Sequence, residues 1–350
     1  MSINNFSQMQ NTKYPNPGTA PQTILKNESG VMDAYGTVVP VSGTAGFVTG
    51  CTFKNSNGGT STSLYVNEGS VTSCNFVVVD DVPSAFGTAA GRGPSPLIWD
   101  DCPVLEYTLN PQLGSHVFDD LHSGITVAAN VAVGAAAATG TVGQFAAFTL
   151  IGTAISTKAT DTGGVVDLTV TTDEDADCRI AFPQNIEVAG MFKFAAGKKL
   201  WMETRIKVDN VTDAKINLFA GFMEEARMAT GELIAVAGGA TADVDYVGFR
   251  IDEADGDAFQ THYNTVSGGH TVLSATAGVI TINNFHKLGI YSDGTTVTFY
   301  IDGVALADTV NISAANFPDG EEMGFYFGQV AASATTIVSS IDWMRIAQEY

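Results

Sequence analysis

The stretch FHKLGIYSDGTTVTFYIDGV, residues 285–304, contains two runs of alternating apolar and polar residues and two Asp-Gly pairs. Asp-Gly pairs supply the positive φ angles that tight hairpin turns need. The chain is therefore predicted to reverse at Asp293-Gly294 and again at Asp302-Gly303. Together these features predict an antiparallel hairpin with one buried face.

The register of this hairpin follows from placing a two-residue turn at Asp293-Gly294. The predicted pairs are Ser292 with Thr295, Ile290 with Val297, and Leu288 with Phe299. Because side chains alternate along a strand, the four apolar residues share one face. The other face is predicted to carry Lys287, Tyr291, Thr296, Thr298 and Tyr300. Its two tyrosines could stack on a sugar, but we expect them to cover the sheet or to contact a neighbouring subunit.

The same alternation continues through the C-terminal two thirds of the chain. Further strands are predicted at 164–170, 200–208, 217–223, 246–251, 278–282, 323–329 and 340–346. Helix signals are almost absent, and the best of them, 224–228, is a single turn. Many strands separated by Gly and Asp turns predict a two-sheet antiparallel sandwich over residues 116–350.

The N-terminal third is predicted to be organised differently. Residues 1–45 are rich in Asn, Gln, Pro, Thr and Ser, and they predict an extended arm. Residues 46–115 predict a small β-unit followed by a Pro-rich linker, which begins near residue 91. The β-unit contains a short repeat, because Val48–Phe53 and Val71–Phe76 share a strand-like pattern with a Cys in each copy.

Composition excludes several classes of protein. The chain carries 37 Asp and Glu against 16 Lys and Arg, a formal charge of −21, which argues against a nucleic-acid surface. The long uncharged run 123–157 is interrupted by glycines and polar residues, so no membrane span is predicted. The polar N-terminus predicts no secretory signal. The four cysteines have no C-x-x-C spacing, which predicts reduced, partly buried thiols and no zinc site.

Several stretches together resemble concanavalin A-like jelly rolls of the laminin-G and glucanase type. They are AAGKKLWMETRIKV (195–208), LFAGFMEE (218–225), VGFRIDEADGDAF (247–259), the hairpin of residues 285–304, and SIDWMRIAQEY (340–350). With PSPLIWDDCPVLEYTLNPQLGSHVFDDL (94–121), the chain also resembles virion structural proteins of tailed bacteriophages that decorate the head. The first resemblance implies the jelly-roll fold, and the second implies a location on the capsid surface after assembly in the host cytoplasm.

Glucanases of this superfamily carry E-x-D-x-E or E-x-D-x-x-E on one core strand, where two carboxylates flank the glycosidic bond. This sequence has no such string, and the nearest, Asp252–Asp257, reads as a turn. We therefore predict no catalytic residue and no cofactor. Calcium binding by the Asp252–Asp257 turn stays an alternative, although the loop lacks the usual ligand spacing. Asp173–Asp177 is predicted to be an exposed turn, and the five histidines show no catalytic or metal-binding spacing.

The sequence thus predicts an all-β, non-enzymatic virion protein. Its N-terminal region would attach it to the major capsid protein, and its jelly roll would face outward as part of a homo-oligomer that stabilises the shell. The alternative, from another functional class, is a carbohydrate-binding adhesin of the virion whose jelly roll holds glycans. A degenerate glycoside hydrolase is a third interpretation. Capsid contact residues, copy number and host do not follow from the sequence.

Overall fold

The computed structural model describes residues 22–57, 63–78, 91–121, 138–142, 144–149, 153–158, 164–170, 177–184, 186, 190–212, 215–227, 243–252, 255–331 and 335–350. The chain divides into two compact units, Met1–Ala85 and Phe86–Tyr350. Among the described residues no helix is long and apolar enough to cross a membrane.

The smaller unit is built on one five-stranded sheet. Its strands are β1 (Gln22–Asn27), β2 (Gly30–Gly36), β3 (Phe47–Asn55), β4 (Leu64–Asn67) and β5 (Phe76–Val78), in that spatial order. All neighbours pair antiparallel except β2 and β3, which are parallel. Ala34, Phe47, Cys51, Phe53 and Cys74 form its buried core.

Part of the predicted arm is a hairpin in this unit. The side chain of Asn27 accepts hydrogen bonds from the backbone N–H groups of Ser29 (2.9 Å) and Gly30 (3.0 Å), which closes the turn between β1 and β2. The prediction of an extended arm is therefore corrected for residues 22–36, because a side-chain turn signal was missed. Residues 1–21 of the arm lie outside the described residues.

The second copy of the predicted repeat is also corrected. Residues 71–73 form a turn, in which the N–H groups of Ser70 and Ser73 donate to each other's carbonyls, and only Phe76 lies in a strand. The first copy lies in β3 as predicted. Both cysteines of the repeat are buried, and all four cysteines of the chain are free thiols.

The larger unit contains two short helices and sixteen strands among its described residues. They are α1 (Pro96–Trp99), α2 (Val104–Leu109), β6 (Gly114–Asp119), β7 (Ala138–Val142), β8 (Phe145–Thr149), β9 (Thr153–Thr157), β10 (Val166–Val170), β11 (Asp177–Phe182), β12 (Leu200–Val208), β13 (Ile216–Glu224), β14 (Tyr246–Asp252), β15 (Asp255–Asn264), β16 (Thr271–Val279), β17 (Phe285–Ser292), β18 (Thr296–Ile301), β19 (Val304–Asn311), β20 (Met323–Ala331) and β21 (Ile337–Glu349). The predicted single-turn helix at 224–228 does not form over its described residues, 224–227.

The strands form two antiparallel sheets that enclose one core. Sheet A has the order β19-β18-β17-β12-β21-β10-β9, with β6 also paired to β21, and sheet B has the order β16-β15-β14-β13-β20-β11-β8-β7. Residues on the inner faces of both sheets, such as Met202, Phe249 and Phe325, belong to a single buried cluster. The predicted all-β fold with a two-sheet antiparallel sandwich is confirmed.

The hairpin that opened the sequence analysis has the predicted faces but a different register. Ser292 pairs with Val297 and Ile290 with Phe299, so a four-residue loop replaces the predicted two-residue turn. The loop forms because the Asp293 carboxylate accepts hydrogen bonds from the N–H groups of Thr295 and Thr296. A shift of two residues leaves every side chain on its predicted face. The Asp302-Gly303 turn has two residues, as predicted.

Candidate functional site

The outer face of sheet A, which points away from the core, is covered by residues 91–121, here called the cover segment. Ile98, Trp99 and Tyr107 of this segment form a buried cluster with Trp201 and Tyr300 of the sheet. The segment then enters sheet A itself, since β6 pairs with the end of β21. The predicted Pro-rich linker is therefore, over residues 91–115, a packed part of the larger unit.

Gly289 allows the helix α1 to pack closely on sheet A. A Cβ atom added at Gly289 would lie 2.4 Å from Cδ1 of Ile98, so the missing side chain leaves room for the helix. Gly114 does the same for α2, because its Cβ would lie 2.7 Å from the ring of Tyr107 and 2.4 Å from the carbonyl oxygen of Gln348. In both places a Cβ atom would require a neighbouring group to shift, a side-chain end at Gly289 and a backbone oxygen at Gly114.

Glu203 anchors the start of the helix α1. It is fully buried on β12, and its Oε2 accepts hydrogen bonds from the N–H of Ser95 (2.8 Å) and from Nε1 of Trp99 (2.9 Å). Burial raises the pKa of Glu203, although these hydrogen bonds oppose the shift. Its Oε1 is buried and has no hydrogen-bond partner among the described residues. Glu203 is thus sealed from solvent, and its carboxyl group holds the start of the cover segment.

Asp101 anchors the end of the same helix. Its carboxylate accepts hydrogen bonds from Nζ of Lys199 (2.6 Å), Nε1 of Trp201 (2.8 Å) and the hydroxyl of Tyr291 (2.9 Å). Burial acts to raise the pKa of Asp101, but the three hydrogen bonds outweigh it and lower the pKa below its usual value. Tyr291 and Tyr300 thus lie beneath the cover segment, which agrees with their expected role in covering the sheet and removes them as a sugar-stacking platform.

A third anchor joins the first residues of the segment to β21. Asp342 is fully buried, and it forms ion pairs with Arg92 and Arg205. The carbonyl oxygen of Arg92 accepts a hydrogen bond from Nε1 of Trp343 at 2.6 Å. Removing one partner of a buried ion pair leaves an uncompensated charge, so this contact fixes the position of the segment strongly.

His286 and Asp302 form the one His–carboxylate contact among the described residues. Nδ1 of His286 lies 2.9 Å from Oδ2 of Asp302, while Nε2 lies 3.1 Å from the backbone N–H of Thr281. Since Nε2 accepts from that N–H, Nδ1 is the ring nitrogen that donates to Asp302. Both ring nitrogens of His286 are therefore engaged, and the pair fixes the turn at Asp302-Gly303 beside Thr281.

On the outer face of sheet B, the side chain of His262 is buried. His262 is 3% exposed, and its Nε2 lies 2.9 Å from Oε1 of Gln260. Burial, with Arg250 nearby, lowers the pKa of His262 to about 4, so the ring is neutral at physiological pH. Its Nδ1 is buried without a hydrogen-bond partner among the described residues.

The acidic turns have the following places in the structure. The Asp252 carboxylate forms an ion pair with Arg250 at 2.9 Å, and Asp257 lies in β15, while residues 253–254 lie outside the described residues. Of the other predicted acidic turn, only Asp177 is described, and it is buried against Arg179. No group of three potential ligands that could hold a metal ion occurs among the described residues. His122 likewise lies outside them.

Sequence reasoning missed one feature of this surface, a cluster of cations. Arg205 and Lys207 lie two residues apart on β12, so they share its outer face, and β17 places Lys287 directly opposite Arg205. The sequence pattern of residues 200–208 already places Arg205 and Lys207 on one face. The pairing of β12 with β17, which brings Lys287 beside them, does not follow from that pattern.

No protein-family model matches the chain, and no curated protein matches its sequence. Among solved structures, the potassium-bound carbohydrate recognition domain of Emp46p is 9% identical, with a TM-score of 0.40 over 58% of this chain and 88% of that chain. Peanut lectin is 12% identical, with a TM-score of 0.39 over 67% and 97%. The beta-glucanase of Bacillus licheniformis is 12% identical, with a TM-score of 0.38 over 66% and 97%.

The fold class, which rests on the topology of this chain itself, is an all-β two-sheet antiparallel sandwich. These similar structures include lectins and a glucanase alike, and none of them has a TM-score above 0.40.

Proposed function

We propose that the chain is a non-enzymatic structural protein of a tailed-bacteriophage virion, which decorates and stabilises the exterior of the capsid. The observation that carries the non-enzymatic part is the cover segment. It occupies the outer face of sheet A, and its backbone and side chains engage Glu203, Asp342 and the tyrosines of that face. On an uncovered sheet the carboxylates could act on a substrate and the tyrosines could stack on a sugar. In this protein they contact the cover segment instead.

The virion part of the proposal is supported by the resemblance of residues 94–121 to proteins that decorate phage heads. In this protein the same residues form most of the cover segment, with its two helices and β6. A net charge of −21 keeps copies apart in solution and favours a soluble outer surface on a particle.

The unit Met1–Ala85 is proposed to attach the protein to the major capsid protein and to neighbouring copies of itself. Many weak contacts repeated over a lattice give strong overall binding, because each contact after the first is effectively intramolecular. A protein that binds the assembled shell and not its separated subunits stabilises the shell by mass action. The location that follows is the capsid surface, after assembly in the host cytoplasm.

Electron microscopy of purified particles, with this protein labelled by a specific antibody, tests the virion role. We expect a regular pattern of label over the head. Label confined to the tail, or absent from particles, would contradict the proposal.

An activity assay tests the non-enzymatic part. We expect purified protein to release no reducing ends from β-glucans or agar-type polysaccharides. Turnover that is lost in Glu203→Gln or Asp252→Asn would show that the chain is a glycoside hydrolase.

A carbohydrate-binding adhesin is the second candidate function. The observation that favours it is an open cleft at the edge of the cover segment, which is lined by Arg205, Lys287 and Asp302 among others. A glycan array with the full chain separates the two functions, since a purely structural protein should bind no glycan on it.

A further inference from the structure

The outward side of the cover segment carries leucines that are exposed to solvent. They are Leu97 (66% exposed), Leu105 (69%), Leu109 (75%) and Leu113 (47%). The other exposed leucine among the described residues is Leu25, in the smaller unit. Single exposed apolar side chains are ordinary on a protein surface, whereas several within one short segment mark a surface for interaction.

The helix α2 and the turn after it bring three of these leucines together. Leu105 and Leu109 lie one helical turn apart, on the side of α2 opposite to the buried Tyr107. Leu113 lies in the turn between α2 and β6, and the next residue, Gly114, packs against the ring of Tyr107. The turn therefore stays beside the helix. Here Leu105, Leu109 and Leu113 are called the leucine patch.

The borders of the leucine patch carry charges of opposite sign. Glu106 is exposed in the first turn of α2, next to Leu105. At the border formed by Leu113, its backbone oxygen accepts a hydrogen bond from the N–H of Tyr350 at 3.1 Å. The backbone oxygen of Tyr350 in turn accepts a hydrogen bond from Nζ of Lys198. A carboxylate thus lies at one border of the patch and an ammonium group at the other.

This distribution of charge suits contact with a second copy of the chain. In a two-fold dimer the same surface is used by both copies, and residue i of one copy meets residue j of the other while j meets i. A two-fold axis through the leucine patch exchanges its two borders, so Glu106 of each copy comes to Lys198 of the other. At a net charge of −21 the copies repel each other in most orientations. A stable contact between them therefore needs a surface whose charges are complementary, which this patch provides.

We infer that the leucine patch is a contact surface between two copies of this chain, which pack around a two-fold axis. An interface of standard size buries about 800 Å² on each partner, of which a little over half is apolar. Three partly covered leucines and the exposed Tyr350 supply less apolar area than that, so the dimer belongs to the weak class. Weak pairwise contacts are sufficient on a lattice, where they are repeated many times.

The inference rests on the proposed contact between copies and adds to it a surface on the larger unit. Its test needs no particle, so the two proposals can fail separately. A chain that stays monomeric yet is found on phage heads would overturn the inference and keep the virion role. A dimer that is absent from particles would support the inference and contradict the virion role.

Sedimentation equilibrium of the full-length protein tests the contact. The buffer contains about 0.15 M NaCl, which screens charges beyond about 8 Å and leaves direct ion pairs effective. We expect a reversible equilibrium between monomer and dimer over protein concentrations from about 1 µM to about 200 µM. A monomer throughout this range would overturn the inference.

Leu105→Gln/Leu109→Gln should weaken the dimer about tenfold or more, because it removes most of the apolar area of the contact without changing the net charge. Val279→Gln/Val304→Gln is the matched control, since these residues are 77% and 63% exposed on β16 and β19, away from the cover segment. The control should dimerise like the wild type. Equal weakening in both double variants, or no weakening in the leucine variant, would overturn the inference.

Charge reversal tests the two-fold arrangement. Glu106→Lys and Lys198→Glu should each weaken the dimer about threefold to tenfold, because the pair occurs twice in the dimer. The combined variant should recover the affinity of the wild type. Glu106→Lys makes the net charge less negative, so general repulsion alone would predict a tighter dimer. A tighter dimer in this variant, or no recovery in the combined one, would overturn the inference.

Hydrogen exchange on the unmodified protein locates the contact without any substitution. The backbone amides of residues 104–113 should exchange more slowly at about 200 µM than at about 1 µM, since dimer formation covers them. The amides of β16 and β19 should exchange equally at both concentrations. Unchanged exchange over residues 104–113 in samples that contain dimer would overturn the inference.

Discussion

Phe299 lies between the two sheets, fully buried, with its ring 5.4 Å from that of Phe249 in an edge-to-face arrangement. Phe299→Ala should lower the free energy of unfolding by about 3–5 kcal/mol, because it removes a large apolar side chain and leaves a cavity. Urea unfolding measures this change. Thr298→Ala on the opposite face of the same strand is the control, with an expected cost below about 1 kcal/mol. A similarly small cost for Phe299→Ala would show that the hairpin faces are reversed.

Glu203 should make stability depend on pH in an unusual direction. Its pKa is raised in the folded protein above the ordinary value of 4.5, so the folded state holds the proton more tightly than the unfolded state does. The resulting stability is present in full below pH 4.5 and is lost as the pH rises through the folded pKa. Glu203→Gln removes this titration. Relative to the wild type, the variant should therefore become more stable as the pH rises from 4 to 8, as measured by urea unfolding.

Asp101 provides the opposite case in the same segment. Its pKa lies below the ordinary value of 3.8 in the folded protein, so its contribution to stability is present above pH 3.8 and is lost as the pH falls through the folded pKa. Asp101→Asn should therefore be less stable than the wild type mainly above pH 3.8. The same pH trend in both variants would contradict the assigned shifts.

At the scale of residues, the sequence predicted which side of each strand is buried but not what lies on the other side. Alternation assigned Phe299 to the core. Trp201 in fact faces the cover segment, packed against Tyr107. That contact joins residues far apart in the chain, and no local pattern encodes it. The cation pair Arg205 and Lys287 was missed for the same reason, because it depends on strand pairing.

The cover segment is held by close contacts that a single methyl group should disturb. Gly114→Ala places a Cβ 2.4 Å from the backbone oxygen of Gln348, which cannot move away without breaking the pairing of β6 with β21. We expect faster amide hydrogen exchange throughout residues 104–119 in this variant. Gly289→Ala is the matched control, since its Cβ meets the flexible end of Ile98 and should have a smaller effect.

Fluorescence offers a second measurement of the same element. The three tryptophans of the chain, Trp99, Trp201 and Trp343, are all buried at the contact between the cover segment and sheet A. Release of the segment should therefore shift their emission to longer wavelength before the sandwich unfolds. An unchanged emission spectrum in Gly114→Ala, together with unchanged exchange, would show that the segment tolerates the methyl group.

Elements differed in how well the sequence predicted them. β12 was predicted with its observed bounds, because Leu200, Met202, Ile206 and Val208 recur at the period of a strand and no Gly or Pro intervenes. The predicted strand at 278–282 was wrong in extent, since β16 ends at Val279 and a turn follows before β17. The register of the hairpin was wrong by two residues, because the Asp293 side chain closes a longer loop than the Asp-Gly pair alone implies.

For the whole molecule, the sequence predicted the sandwich but divided the N-terminal region differently from the structure. Low hydrophobicity suggested an arm over residues 1–45, yet β1 and β2 at 22–36 belong to the small sheet. Pro residues suggested a linker near residue 91, yet that stretch packs on sheet A. In both cases the residues have little apolar periodicity of their own. β1 and β2 are ordered as a hairpin that pairs with β3, and the stretch near residue 91 is ordered by packing on strands far along the chain.

Net charge leads to a prediction for the whole molecule. At −21 the folded chain repels itself, and salt screens this repulsion over distances of about 10 Å at 0.1 M ionic strength. The midpoint of thermal unfolding should therefore rise between 10 mM and 300 mM NaCl. Scanning calorimetry measures it, and a midpoint that falls with salt would show that attractive ion pairs, such as those of Asp342, outweigh the general repulsion.

The final prediction concerns attachment to the capsid. Deletion of residues 1–45 would remove β1 and β2 from the small sheet and expose its core, so the informative truncation follows the boundary between the two units. A chain that lacks residues 1–85 should keep the thermal unfolding of the sandwich, because the core of the larger unit is formed entirely by residues after that boundary. It should fail to co-sediment with undecorated capsids, whereas the full chain should co-sediment. If the truncated chain binds capsids as well as the intact one, the sandwich itself carries the contact and the smaller unit has another role.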